Sequence, residues 1–477
     1  MQAIEQFLSA FSSFMWGMPL VYLLVGGGLF FLIYSRFIPF LYLRHSLNIL
    51  RGKYDNPDDP GDISHFEALS SALAATVGMG NISGVAVAIF MGGPGALFWM
   101  WVSAFVGMAT KFFTCTLAIL YRGQDSEGKI QGGPMYVIRE GLEKNWGGNW
   151  TYLFKPLAAL FALAGIFGPL PIFQANQLTQ ILRDSIYIPQ GWVAANAHFG
   201  GDLITGLVLV VIVSFVIFGG ITRIGKVTSK LVPAMVIIYI GCVVAILGAH
   251  ITEIPHYLGL IITDAFNADY VRQSAINGEA MFGGIVGSLI VIGIQRGVFS
   301  NEAGLGTEAL AHGAAKTKEP VREGLVAMLG PAIDTIITCT MTALAILVTG
   351  VWKSTEANGV TLTLNAFNEA LPEFGTYLLV ICVVFFAISS MLTYSYYGTK
   401  CLGYLIGADK QHWYNYFYVG SIIFGSVASI GAVIDLIDGM FALMAIPTMV
   451  STILLAPKVK EAATSYFERI DSFKTFK

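Results

Sequence analysis

Residues 74–85 read Ala-Ala-Thr-Val-Gly-Met-Gly-Asn-Ile-Ser-Gly-Val, in the middle of an apolar stretch from Leu69 to Met91. The stretch is long enough for a bilayer crossing, which takes about 20 helical residues. Gly78, Gly80 and Asn81 interrupt it near its centre. Glycine costs roughly 1 kcal/mol in a helix interior, and backbone groups freed in hydrocarbon need a partner. A break at this depth reads in one of two ways. It is a packing face of small residues between helices, or it is a binding site in which half-helix amides hold an anionic group and loose carbonyls hold a cation.

Composition fixes the class of protein. Of 477 residues, 55% are hydrophobic and 12% charged, and mean hydropathy is +0.68. Soluble domains carry about 25% charged residues, so the chain reads as an all-α polytopic membrane protein. A net charge of −3 gives nucleic-acid binding no electrostatic support. The five cysteines (Cys115, Cys242, Cys339, Cys382, Cys401) form neither a CxxC pair nor a Cys/His cluster, which argues against a disulfide framework or a zinc site. The first residues carry Glu5 rather than a basic stretch, so no cleavable signal peptide is expected.

Hydropathy marks eleven candidate spans, at about 18–43, 67–91, 95–120, 156–183, 203–222, 229–249, 278–312, 325–349, 374–398, 414–432 and 437–456. Alternate loops are basic: Arg44, Arg51 and Lys53; Arg122, Lys129, Arg139 and Lys144; Arg223, Lys226 and Lys230; Lys316, Lys318 and Arg322; Lys400 and Lys410; Lys458 and Lys460. The positive-inside rule then puts the N-terminus outside and the C-terminus in the cytoplasm. Met135–Leu142 is expected to lie along the cytoplasmic surface. The acidic, aromatic connection 250–277 is read either as an outer cover or as a plain connector.

The seventh span is too long for one straight crossing. Its first half ends at Ile292, Gly293-Ile-Gln-Arg-Gly297 follows, and a second helical piece is expected after Gly306. Arg296 and Glu302 either pair as structural glue or face a polar cavity. Setting the first span aside leaves two groups of five, with a break in the first member of each. Five is odd, so the second group enters from the opposite side, the pattern of two inverted repeats with binding between their discontinuous helices. The expected units are 1–43, an extra N-terminal helix; 67–249 and 278–456, the two repeats; and 457–477, a cytoplasmic tail.

At this point several motifs carry a resemblance. Gly92-Gly-Pro-Gly-Ala-Leu-Phe-Trp-Met-Trp-Val-Ser-Ala-Phe-Val-Gly107, Gln131-Gly-Gly-Pro-Met-Tyr136, Gln174-Ala-Asn176, Arg296-Gly-Val-Phe-Ser-Asn-Glu-Ala-Gly-Leu-Gly306 and Tyr396-Tyr-Gly398 resemble the alanine or glycine:cation symporter family. The resemblance implies a LeuT-type 5+5 inverted repeat preceded by one extra helix, in a multi-pass protein of the bacterial plasma (inner) membrane. It implies sodium-coupled symport of a small neutral amino acid, with Na+ as coupling ion and no cofactor. The partners are then the amino acid, Na+ and the lipid bilayer, and a monomer is expected. Proton coupling through Glu302 or Asp334, and a larger cargo such as glutamine, are the alternatives. An enzyme is not expected, because neither a His-Glu-x-x-His nor a Gly-x-Ser-x-Gly motif occurs.

Chemistry then distributes the roles. The substrate carboxylate suits the amides at Gly78, Met79 and Gly80, at the positive end of the following half-helix. Gly80 is expected to need a conformation open only to glycine. The ammonium suits carbonyls of the breaks, such as Thr76 or Gly293, or the amide oxygen of Gln174; a helix–helix bond is the competing reading for Gln174 and Asn176. Ile294, Gly297 and Tyr394 are expected pocket walls. The resemblance places sodium on the carbonyls of Ala74 and Val77 and the hydroxyls of Ser389 and Ser390, with Asn81 serving a second ion. Back-bonding to the preceding turn is the competing reading for the two serines. Met79, Tyr394 and Thr114 depart from the family pattern of a small hydroxyl residue, a tryptophan and a glutamate, which leaves the preferred side chain open.

Overall fold

A computed structural model describes residues 2–146, 148, 151–194, 196–272, 284–353 and 356–475. Among them, eight helices are long and apolar enough to cross a membrane, and ten crossings result if each of two bent pairs counts as one. The first pair is α1 (Gln6–Met15) and α2 (Met18–Tyr34), bent by 45°. The second is α3 (His65–Thr76) and α4 (Gly80–Gly92), bent by 47° at the break the sequence marks. The straighter helices are α5 (Ala96–Leu120), α6 (Thr151–Tyr187), α7 (Phe199–Ile217) and α8 (Gly220–Ala249). After α9 (Ile254–Asn267) come α10 (Gly284–Asn301), the short α11 (Thr307–His312), α12 (Pro320–Val348), α13 (Val360–Ala370) and α14 (Gly375–Ile406). The chain closes with α15 (Trp413–Val427) and α16 (Val433–Ile470). Helix α15 has 15 residues, short of a full crossing, where a span over 414–432 is expected.

Local sequence sets the ends of the central helices. Ser64 and Glu67 make a reciprocal capping box at the start of α3: Ser64 Oγ accepts from the Glu67 N–H at 3.2 Å, and Glu67 Oε2 accepts from the Ser64 N–H at 2.9 Å. The glycines of the 92–95 motif serve close approach. A Cβ at Gly95 would stand 2.6 Å from the Ala265 nitrogen, and the Gly95 N–H donates to Asp264 Oδ2 at 2.7 Å. Trp99 Nε1 donates to the Ala265 carbonyl at 3.0 Å, so α9 lies over the start of α5 and is more than a connector. Residues 273–277 of that connection, and 278–283 of the seventh span, lie outside the described residues.

One expectation about the loops is corrected. Met135–Leu142 does not lie on the surface: Met135, Ile138 and Leu142 are fully buried, and a Cβ at Gly141 would meet Leu455 at 2.7 Å. Its apolar face is taken up by protein rather than lipid. Gln131, at the head of the Gln-Gly-Gly-Pro motif, donates through Nε2 to Asp125 Oδ2 at 2.7 Å. Burial disfavours the Asp125 charge, but this bond and the Lys129 and Glu127 amides outweigh it and hold the carboxyl below the usual range.

The break in the seventh span is displaced from where the glycines suggest. Helix α10 runs unbroken through Gly293 and Gly297 to Asn301, and the chain turns at Glu302–Gly306. Glu302, Gly304 and Gly306 take φ values of +56°, +88° and +86°. Gly293 and Gly297 instead face α5, where added Cβ atoms would meet the Ala96 carbonyl at 2.6 Å and the Met100 Cα at 3.0 Å. Glycines four apart share a helix face, and here they let two backbones touch.

Candidate functional site

The break between α3 and α4 is completely buried: Ala74, Val77, Met79 and Asn81 are each 0% exposed. Helix α3 ends at Thr76, and the Val77 N–H makes the last helical bond, to Leu73 O at 2.7 Å. The Gly78 N–H, which an unbroken helix would give to the Ala74 carbonyl, instead donates to Asn81 Oδ1 at 2.7 Å. The carbonyls of the last turn therefore lack intrahelical donors. Ser390 Oγ on α14 donates to one of them, Ala75 O, at 3.2 Å, and also to Phe386 O at 3.1 Å. Gly78 makes this approach possible, because a Cβ there would collide with Ser390 Oγ. The Ser390 hydroxyl thus meets the end of α3 at the Ala75 carbonyl, one residue beyond Ala74 and two before Val77. Ser389 Oγ bonds within its own helix, to Phe386 O at 3.0 Å.

On the other side of the break, Met79 and Gly80 open α4, where the first N–H groups of a helix have no intrahelical acceptor. Gly80 is not among the glycines with positive φ, so its conformation does not require glycine. What requires glycine is space: a Cβ would lie 3.2 Å from the Ser300 Cα of α10 and 3.6 Å from the Phe299 ring. Phe299 meets Phe173 edge to face at 5.2 Å, which brings the segment containing Gln174 beside Gly80. Gln174 is 3% exposed, and its Oε1 has no hydrogen-bond partner among the described residues. Asn176 points away and ties α6 to α15, donating to Gly425 O at 3.1 Å and Ala428 O at 2.8 Å.

The remaining expected residues are placed as follows. Thr76 Oγ1 back-bonds to Ala72 O at 3.2 Å, which leaves its carbonyl at the break. Asn81 donates through Nδ2 to Asp334 Oδ1 at 2.7 Å and Asp334 O at 3.0 Å, so its side chain fastens the break to α12. Gly293 and Gly297 sit at the α10–α5 crossing, and a carbonyl in unbroken helix such as that of Gly293 is already an acceptor within the helix. Ile294 is buried beside them. Tyr394 donates through its hydroxyl to Glu302 Oε1 at 2.7 Å rather than presenting an open wall.

Arg296 and Glu302 do not pair. Arg296 forms an ion pair with Asp438 on α16, which also accepts from Gln295 Nε2 at 2.9 Å. Glu302 is held by Tyr394 and by Thr307 Oγ1, at 2.5 Å. Helix geometry explains the separation: α10 ends between the two residues, and the left-handed turn at Glu302 sends its side chain to α14. Asp334, held by Asn81, Ser300 Oγ at 2.8 Å and Thr335 Oγ1 at 2.7 Å, joins both breaks. Ser300 and Asp438 were given no role by the sequence reading: Ser300 stands inside the 296–306 motif among residues with stronger signals, and Asp438 outside either break. The carboxylate of Asp438, at the start of the span expected over 437–456, was the available signal.

The comparisons bear on family and fold. A family model described as the sodium:alanine symporter family matches residues 1–476. The sodium/alanine symporter AgcS of Methanococcus maripaludis is 40% identical over 461 residues, 96% of each chain. A Bacillus subtilis protein named "Probable sodium/glutamine symporter GlnT" is 32% identical, over 98% of this chain and 91% of its own length. A crystal structure of MhsT in complex with L-phenylalanine superposes with a TM-score of 0.53 at 13% identity, covering 84% of this chain and 98% of that one, so the LeuT-type fold is shared. Family and relatives are transporters rather than enzymes. A helical, multi-pass chain broken at buried, carbonyl-rich points, matched from end to end by that family, belongs to the sodium:alanine symporter family.

Proposed function

We propose that this protein moves a small neutral amino acid, alanine or glycine, together with Na+ by alternating access. In this reading eleven spans form one N-terminal helix and two inverted groups of five, with the N-terminus outside and the C-terminus in the cytoplasm. The observation that carries it is the α3–α4 break, where loose carbonyls face Ser390 on one side and the Met79 and Gly80 amides open a half-helix on the other. Carbonyl and hydroxyl oxygens replace a cation's water shell, and helix N-termini hold carboxylates. The name of AgcS supports the alanine reading, and that of GlnT keeps glutamine as the larger cargo to test.

Uptake of labelled alanine or glycine into proteoliposomes should rise with external sodium and fall when the sodium gradient collapses. A second reading, proton coupling, draws on Glu302, whose fully buried carboxyl is held by two hydroxyls. Uptake that survives replacement of sodium by choline but is abolished by a protonophore would favour it.

The cation site has its own test. Ser389→Ala with Ser390→Ala removes two proposed oxygens. A bond to a charged partner is worth about 1.5–3 kcal/mol, so the sodium needed for half-maximal transport should rise about ten- to a hundredfold. An unchanged sodium dependence in the folded double variant would take the pair out of the site. The Ser390 bond to Ala75 O predicts that Ser390→Ala alone gives most of the effect.

A further inference from the structure

On the side of the molecule with the basic loops, two segments distant in sequence are stitched together. The Asp62 and Ile63 N–H groups donate to Ala314 O at 2.8 and 3.2 Å, the Lys316 N–H to Ile63 O at 2.7 Å, and the Thr317 N–H to Pro60 O at 3.1 Å. Ile63 and Ala315 pair as a parallel bridge. Arg122, just beyond α5, lies across this strap. Its Nε donates to Gly313 O at 3.0 Å, its Nη1 to Pro60 O at 3.0 Å and Thr317 O at 3.2 Å, and its Nη2 to Ala315 O. One guanidinium therefore holds four carbonyls from both segments. Lys318 adds an ion pair to Asp59 at 3.2 Å.

The strap is joined directly to the helices that flank the candidate site. Residues 60–63 lead through the Ser64 cap into α3, the first half of one broken span. Residues 313–317 follow α11, the last half of the other. Immediately beneath, Glu323 on α12 receives both helix ends: His65 at the start of α3 pairs with Oε2, and His312 at the end of α11 bonds Oε1 at 2.5 Å. All three side chains are buried. A buried carboxylate that loses a partner carries a large desolvation cost, so the two half-helices part only if strap and carboxylate bonds break together.

We infer that the strap joining residues 60–63 to 313–317, bolted by Arg122, is the gate on the basic-loop side of this transporter, closed in the structure. The inference rests on the alternating-access reading and on the orientation proposed above. It does not depend on which amino acid or ion is carried. Separation of the strap would release the ends of α3 and α11 and open a path to the α3–α4 break from that side.

Two measurements test it. Ser71, buried on α3 six residues beyond His65, serves as a reporter when replaced by cysteine. Arg122→Ala should raise the rate at which a membrane-impermeant thiol reagent labels Ser71→Cys from the cytoplasmic face, by about tenfold or more, because bonds to a charged donor are the strong ones. The signal of the unsubstituted protein is subtracted. An unchanged rate in a variant that elutes as folded protein would overturn the gate. The second measurement keeps Arg122. Paired bridge residues lie within disulfide reach, so Ile63→Cys with Ala315→Cys should cross-link on oxidation. The oxidised protein should lose counterflow of labelled alanine to background, and reductant should restore it. Failure to cross-link, or counterflow above background and equal in both redox states, would overturn the gate. The labelling test uses no substrate, so absence of sodium-stimulated alanine binding by the unsubstituted protein would sink the symport reading and leave the gate standing on its own result.

Discussion

Gly80→Ala is expected to abolish binding of every amino acid, glycine included. Gly80 and Met79 supply the free amides at the start of α4, and a ligand carboxylate must come up against the backbone there. The added methyl would also stand 3.2 Å from the Ser300 Cα, a backbone atom that cannot swing aside. Overpacking of this kind costs typically about 1–3 kcal/mol, which the fold should survive while the amide geometry does not. Met79→Thr is the contrasting variant. It keeps the amide and changes only a buried side chain, so transport should persist with altered preference among alanine, serine and larger cargoes. Equilibrium binding of labelled amino acids to purified variants, beside gel-filtration profiles, decides the matter. Full affinity in folded Gly80→Ala protein would remove the carboxylate from these amides.

Arg296→Met should be the most damaging single change to stability among those considered. Arg296 is 5% exposed and Asp438 1%, and the two are joined by a direct ion pair that links α10 to α16. The main chain of Asp438 also accepts from Trp16 Nε1 at 2.9 Å, so the N-terminal helix pair is anchored at the same point. Removing one partner of a buried pair costs about 3–5 kcal/mol, because the other charge is left uncompensated. Replacing both, as Arg296→Met with Asp438→Leu, should recover most of the loss. Thermal unfolding of the purified proteins gives the comparison. A single variant as stable as the unsubstituted protein would mean that this pair does not hold the two helices together.

Several features of the chain were legible without coordinates. The membrane class follows from a charge content half that of soluble domains. The first break was visible because Gly78, Gly80 and Asn81 interrupt a run that is otherwise apolar, and helix physics leaves few uses for such residues at that depth. The family followed from the ungapped motif at 92–107, whose glycines the structure explains by close approach: Gly95 to α9, Gly92 to Leu289 and Ile292 of α10, and Gly107 to Ala303.

Other features were not legible, for reasons that lie in three dimensions. Gly293 and Gly297 look like a break, yet glycines four apart equally suit a tight helix crossing, and only the position of α5 selects between the two. Glu302 carries the left-handed turn itself, a conformation that a non-glycine residue adopts only when its surroundings compel it. Arg296 finds its anion 142 residues away, and the Gly78 amide finds Asn81 rather than the preceding turn. Apolar periodicity and charge bias report what each segment must do to sit in a bilayer. Which buried polar group satisfies which other depends on distances between helices that no single segment contains, so tertiary packing alone decided the partners of Arg296, Glu302, Glu323 and Asp438.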